Sequence, residues 1–139
     1  MIKELTIKDK NRFIELGSLI KSDFNKTNDL EKIINSDSED VIGYYDNNLL
    51  VAFIYYSKSF ETIDIVDIVV DENYRRRGIA SELINYLVNK YEDINSIFLE
   101  VNEKNESAIK TYEKNGFVLI NRRNKYYGED DALIMKRDV

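Results

Sequence analysis

Apolar residues in this chain recur with a helical period near the start, with a strand period through the middle, and then with the two in alternation. Ile2 to Ile7 alternates weakly, which predicts an opening strand. From Lys8 to about Lys21, Phe13, Leu16, Leu19 and Ile20 share one face at helical spacing. A second short helix is predicted after Asn28 or Asp29, with Leu30, Ile33 and Ile34 inward, and polar Ser22 to Thr27 reads as the loop between them. Val41–Tyr45 and Leu49–Tyr56 flank the turn-prone Asp46-Asn47-Asn48 and read as a hairpin, and Thr62–Val70 is a third β-branched run.

Beyond Val70 the two periods alternate. Ile79, Leu83, Ile84, Leu87 and Val88 form one helical stripe, and Ile94–Val101 reads as a buried strand. A helix follows Asn105 with Ala108, Ile109 and Tyr112 inward, and Asn115-Gly116 ends it as a left-handed C-cap would. Phe117–Asn121 and Ala132–Met135 predict two closing strands. The order β-α-α-β-β-β-α-β-α-β-β implies an α/β fold with a mixed central sheet flanked by about four helices, and the length of 139 residues suits a single domain over 1–139.

Composition removes several chemistries. There is no Cys, so disulfides, thiolate metal sites and cysteine nucleophiles are excluded, and no His, which removes Ser-His pairs and the commonest general base. No metal is called for. The net charge of −6 disfavours nucleic-acid binding and is compatible with a cationic partner. The longest apolar run, Leu49–Tyr56, is far below the ~20 residues of a bilayer span. Without a basic stretch leading into an apolar core at its start, the chain is expected in the cytosol, away from membranes.

Candidate chemistry begins at Arg75-Arg76-Arg77-Gly78-Ile79-Ala80-Ser81, between a strand and a helix. Backbone N–H groups at such a junction lack intrahelical partners, and the helix dipole adds partial positive charge, so a diphosphate is well matched there. Gly78 and Ala80 leave room for phosphate oxygens; an exposed basic first turn is the other reading. Glu100 interrupts the apolar run Ile97–Val101. If buried, it would be a carboxylate with its pKa raised toward a base range; otherwise it is a water-facing or ion-paired strand residue. Tyr112 reads as a proton carrier or as a core tyrosine, and Asn105 as a ligand contact or a helix N-cap.

Together these residues resemble the GNAT acetyltransferases, whose signature is a strand, then Gln/Arg-x-x-Gly-x-Gly/Ala, then a helix. Here that is Ile68-Val69-Val70 followed by Arg75-x-x-Gly78-x-Ala80. Leu99-Glu100-Val101, Asn105, Ala108-Ile109, Tyr112-Glu113 and Gly116-Phe117 are similar, more narrowly, to the ribosomal-protein-alanine N-acetyltransferases. Arg122 to Tyr127 and Glu129 to Met135 extend the likeness, which is ordered from about Ile65 to Met135 and only architectural before that.

The resemblance implies a GNAT fold and an acetyl-CoA-dependent N-acetyltransferase. Ile68, Val69 and Val70 would pair with the pantetheine arm, Arg76, Arg77, Gly78, Ile79, Ala80 and Ser81 would cradle the diphosphate, and Asn105 would contact the cofactor. Glu100 would be the general base and Tyr112 the general acid. The implied acceptor is the N-terminal alanine α-amine of a small-subunit ribosomal protein, flanked by Phe24, Tyr126 and Tyr127, with the tyrosines on the connection between the last two strands. The Pro-Trp pair typical of that subgroup is absent from Asp23–Thr27. A small-molecule amine or a lysine as acceptor, and a non-catalytic CoA-binding module, are the other readings.

Overall fold

The chain's β-branched runs assemble into one seven-stranded sheet of order β1-β2-β3-β4-β5-β7-β6 in the computed structural model, which describes residues 1–139. The strands are β1 (Ile2–Glu4), β2 (Glu39–Asp46), β3 (Leu49–Ser59), β4 (Thr62–Val70), β5 (Ser96–Asn102), β6 (Val118–Tyr127) and β7 (Asp130–Asp138). Every neighbouring pair is antiparallel except β4 and β5, so the sheet is mixed. Helices α1 (Lys10–Gly17), α2 (Phe24–Thr27) and α3 (Leu30–Ile34) precede β2; α4 (Ile79–Lys90) and α5 (Glu106–Lys114) flank β5 in sequence.

Both faces of the sheet are covered, which explains why β3 reads as a continuous apolar run instead of alternating. Its Ala52, Ile54 and Tyr56 pack with Leu83, Ile84 and Leu87 of α4. Phe53 and Tyr55 pack on the other face with Phe13, Leu16 and Leu30 of the first helices. The β2–β3 turn is two residues, Asn47-Asn48, both at positive φ (48° and 69°), a hairpin geometry that Asn tolerates.

The first helical segment corrects two expectations. α1 stops at Gly17, and Leu19 and Ile20 are exposed, not inward. The reason is steric: a Cβ on Gly17 would lie 2.3 Å from the Phe24 ring, so Gly17 is the seat of that ring. Phe24 itself is not a loop residue facing an acceptor. It opens α2, is fully buried, and packs against Phe13 and Phe53 with ring centroids 5.1 and 6.1 Å away. Phe24→Ala should therefore cost about 3–5 kcal/mol, a fall in Tm of roughly 10–20 °C for a domain of this size. A melting curve checks this; an unchanged Tm would contradict the core position.

The sheet's far edge is also longer than its pattern suggests. β6 runs to Tyr127, so Tyr126 and Tyr127 sit on the strand itself and not on the connection, which is the short turn Gly128-Glu129.

Candidate active site

Strands β4 and β5 are paired only from Thr62↔Ser96 to Ile65↔Leu99, yet β4 continues to Val70 and β5 to Asn102. Past that point they part. The β4 backbone from Val66 to Val70 therefore has β3 on one side and an open cleft on the other, while β5 remains fully paired to β7. A β-bulge accompanies the parting: Tyr56 faces Ile65 but Tyr55 faces Asp67, leaving Val66 as the extra residue. The bulge reverses the alternation of β4. Ile63 and Ile65 join the α4-side core before it; after it, Ile68 and Val70 do so, and Val69 packs toward α1–α3.

On the α4 side, the end of β4 leads into the basic turn. Asp71 accepts a hydrogen bond from the Asn73 N–H (2.9 Å) and pairs with Arg12 of α1 (2.6 Å); together these hold its pKa below the usual carboxylate value. Arg76 has φ of 64° and Gly78 of 76°, two left-handed residues that turn the chain into α4. No side chain caps α4, and its first backbone bond is Glu82 N–H to the Gly78 carbonyl. The N–H groups of Ile79, Ala80 and Ser81 therefore have no intrahelical partner. A Cβ on Gly78 would meet nothing within 4 Å, so the mouth of this turn is open.

Arg76 and Arg77 are exposed, with the Arg77 guanidinium 4.8 Å over the Tyr74 ring. The side chain of Ile79 is buried, so only its backbone faces the turn. Ser81 Oγ accepts from Asn115 Nδ2 (2.9 Å), a bond that ties the end of α5 to the first turn of α4. Asn105 is the N-cap of α5, its side chain accepting from Ala108 N–H (3.2 Å).

The opposite face of the parted strands holds a cavity of about 560 Å³. Glu100, Arg123, Tyr126 and Tyr127 line it together with Asp67 and Lys21. Glu100 is not the buried carboxylate that its apolar flanks suggest. Leu99 and Val101 point into the core, which turns Glu100 outward on the pleat, and its side chain keeps 31% exposure. Arg123 Nη2 of β6 lies 3.2 Å from its Oε1, and the same guanidinium stacks 5.4 Å over Tyr126, whose ring meets Tyr127 edge to face at 5.1 Å. Tyr127's pKa is raised, by burial first and then by the charge of Glu100.

Tyr112, on α5, is not among the residues that line this cavity. Its ring packs on the α4-side core and 6.0 Å from Phe117. Burial, and after it the negative charge of Asp67, push the phenol up to about 12. The C-cap at positive-φ Gly116 fixes the ring's helix end, with Phe117 N–H donating to the Tyr112 carbonyl (3.0 Å).

The site therefore gathers Glu100, Tyr126 and Tyr127 in one cavity and Gly78 to Ser81 in one turn, with Ile68–Val70 as the strand between them; Phe24 is left out. Four charged lining residues escape the sequence reading: Lys21, Asp64, Asp67 and Arg123. Asp67 interrupts Ile65–Val70 as Glu100 interrupts its own strand, so the same criterion applied to β4 would find it. No local pattern marks Lys21 or Arg123.

Comparison with known proteins follows the same lines. Ribosomal protein bS18-alanine N-acetyltransferase of Escherichia coli strain K12 is 32% identical over 95 residues, which is 64% of each chain. The match thus spans just under two thirds of that relative's length. Among solved structures, Ard1 from Thermoplasma volcanium has a TM-score of 0.85 at 27% identity, covering 100% of this chain and 97% of that one. A putative streptothricin acetyltransferase from Bacillus anthracis, crystallised with acetyl coenzyme A, has a TM-score of 0.85 at 25% identity, covering 100% and 98%. The acetyltransferase (GNAT) family profile matches residues 10–117, a span that runs from α1 through the parted strands, the open turn and Tyr112. With the fold, the strand parting and the family profile in agreement, the chain belongs to the acetyltransferase (GNAT) family.

Proposed function

We propose that this chain, acting as one catalytic domain over residues 1–139, is an acetyl-CoA-dependent N-acetyltransferase. Its proposed acceptor is a protein α-amine, foremost the N-terminal alanine of a small-subunit ribosomal protein. The observation that carries the reading is the parting of β4 and β5, with an open, donor-rich turn on one face and a carboxylate- and tyrosine-lined cavity on the other.

The residues present fit the cofactor. Free N–H groups at the start of α4 and the space at Gly78 suit a diphosphate, with Arg76 and Arg77 adding attraction. The cleft edge of Ile68–Val70 offers backbone donors and acceptors for the amides of pantetheine, and the Asn105 side-chain N–H2 remains available beside its capping role. Acetyl-CoA supplies the acetyl thioester. Glu100 takes a proton from the acceptor ammonium, with Arg123 as counter-ion to its carboxylate. A backbone N–H at Val70 donates to the carbonyl oxygen where negative charge develops. Tyr112, held protonated by its raised pKa, returns a proton to the departing thiolate. With no Cys or His in the chain, direct attack by the amine is favoured over a covalent acyl-enzyme.

Ionisation favours an α-amine: near pKa 8 it is ~10% neutral at pH 7, against ~0.04% for a lysine. Tyr126 and Tyr127 supply aromatic walls for an entering peptide. The name of the 32%-identical relative points to the same acceptor. A small polyamine is the second reading, favoured by the cavity's three carboxylates (Asp64, Asp67, Glu100) against two cations.

Labelled acetyl-CoA offered with a peptide copying the ribosomal N-terminus should label the first nitrogen, and blocking that nitrogen should stop the reaction. Label found only on lysine side chains or on spermidine would move the acceptor to that class and overturn the α-amine.

A further inference from the structure

Asp67 is a carboxylate in an expensive position. The β4 bulge turns it toward α1–α3 and into the cavity wall, where its side chain is only 8% exposed. Oδ2 has no hydrogen-bond partner within the chain. Oδ1 meets the Lys21 ammonium at 3.7 Å, longer than a hydrogen bond. Burial raises its pKa, and Lys21 only partly offsets that. Other ion-paired carboxylates are better served: Asp71 has Arg12 and the Asn73 N–H, and Asp131 has Arg122 and the Lys125 N–H. A buried charge lacking donors destabilises the fold and is retained where a donor arrives in a functional state.

The cavity defines that donor. It must be cationic and carry several N–H groups, in a cavity lined by Asp64, Asp67 and Glu100 and walled by Tyr126 and Tyr127. Lys21 shows the chemistry that suits the position: an alkylammonium, on a side chain half in solvent (51% exposed) and free to swing away. We propose that Asp67 docks the ammonium group of the acceptor, and that Lys21 is its stand-in, displaced when the acceptor enters. This rests on the acetyltransferase reading for the identity of the ligand. It adds the residue that selects a charged amine over a neutral one. Asp67 is thus a specificity-determining residue, leaving proton transfer to Glu100 and Tyr112.

Binding tests this without requiring turnover. In the presence of CoA, an alanine-initial peptide and its N-formyl counterpart are titrated calorimetrically into wild type, Asp67→Asn and Lys21→Met, with spermidine as a second cationic probe. Wild type should bind at least one free-amine probe, and the N-formyl peptide about tenfold or more weakly if the peptide is that probe. Asp67→Asn, which keeps the shape and should melt no lower than wild type, should lose tenfold or more of that affinity and no longer distinguish the formyl peptide. Lys21→Met should bind the free amine as well or several-fold better, because the internal competitor is gone. Unchanged affinity in Asp67→Asn, weaker binding in Lys21→Met, or no binding of either cationic probe to wild type each overturns the proposal. Absence of labelled product alongside the expected binding pattern would instead remove the transferase reading and leave the ammonium site standing.

Discussion

Acetyl-CoA should raise the Tm of the wild-type protein, and the Gly78→Asp variant should show no such rise. A ligand at about 100 times its Kd stabilises the native state by ~2.7 kcal/mol, a shift readily read by thermal melting. The expected loss follows from the geometry of the turn. Gly78 has φ of 76°, its missing Cβ faces open space, and the N–H groups of Ile79 to Ser81 that follow it have no intrahelical partner. An Asp there puts a carboxylate where the diphosphate would sit and offers the N–H groups a competing acceptor. Gly78→Ala separates charge from strain. Its methyl touches nothing, so it should cost only the positive-φ penalty of about 1–2 kcal/mol in stability and keep part of the acetyl-CoA shift. An adenine nucleotide lacking pantetheine should shift Tm much less, because it leaves the Ile68–Val70 edge unused. A wild-type protein unmoved by millimolar acetyl-CoA would remove the proposed cofactor.

That turn was legible because everything it needs is local. A β-branched run, a glycine at a left-handed position and an apolar helical stripe lie within about one βα unit, and each part is specified by neighbours in sequence. The same holds for the Asn47-Asn48 hairpin and the Gly116 C-cap. What sequence did not reveal depends on contacts between distant segments. Helical periodicity runs on through Leu19 and Ile20, yet α1 ends because Phe24 folds back onto Gly17. β6 carries exposed residues throughout, Val118, Leu119 and Ile120 included, so no alternation marked its true length or placed Tyr126 on it.

The environment of Glu100 shows the same division. Its position in a strand between two core residues was readable, but the side of the sheet it faces and the Arg123 that meets it are set by the β5-β7-β6 order. Burial of the flanking residues does not imply burial of the one between them, since a pleat sends it to the other face. Asp67 was readable as a carboxylate interrupting a strand, but not the face it takes: one extra residue, Val66, reverses its direction, and nothing in Ile65-Val66-Asp67-Ile68 signals where a bulge will fall.

The largest kinetic effects are expected at Tyr112 and Glu100. Tyr112→Phe should lower kcat by ~10²–10⁴ with little change in acetyl-CoA affinity, and Glu100→Gln should do the same through the other proton. The Phe variant removes one hydroxyl and keeps the ring on Phe117 and the α4-side core, so its Tm should stay close to wild type. The direction of the pKa shift adds a second readout. Burial and Asp67 hold the Tyr112 proton up to about 12, so the acid form persists and wild-type kcat should not fall between pH 8 and roughly 11 through loss of this proton. Replacing Asp67 by Asn removes the negative charge beside the phenol and should lower the Tyr112 pKa, bringing an alkaline decline nearer to neutrality. Glu100→Gln removes an acceptor of protons and leaves Arg123 without its carboxylate partner, so Arg123→Gln serves as its control. That control should lose far less than Glu100→Gln if the carboxylate acts as a base, and as much if the ion pair serves only to shape the cavity. Near-normal turnover in both Tyr112→Phe and Glu100→Gln, measured with an accepted amine, would make the two residues structural and remove this assignment of the proton carriers.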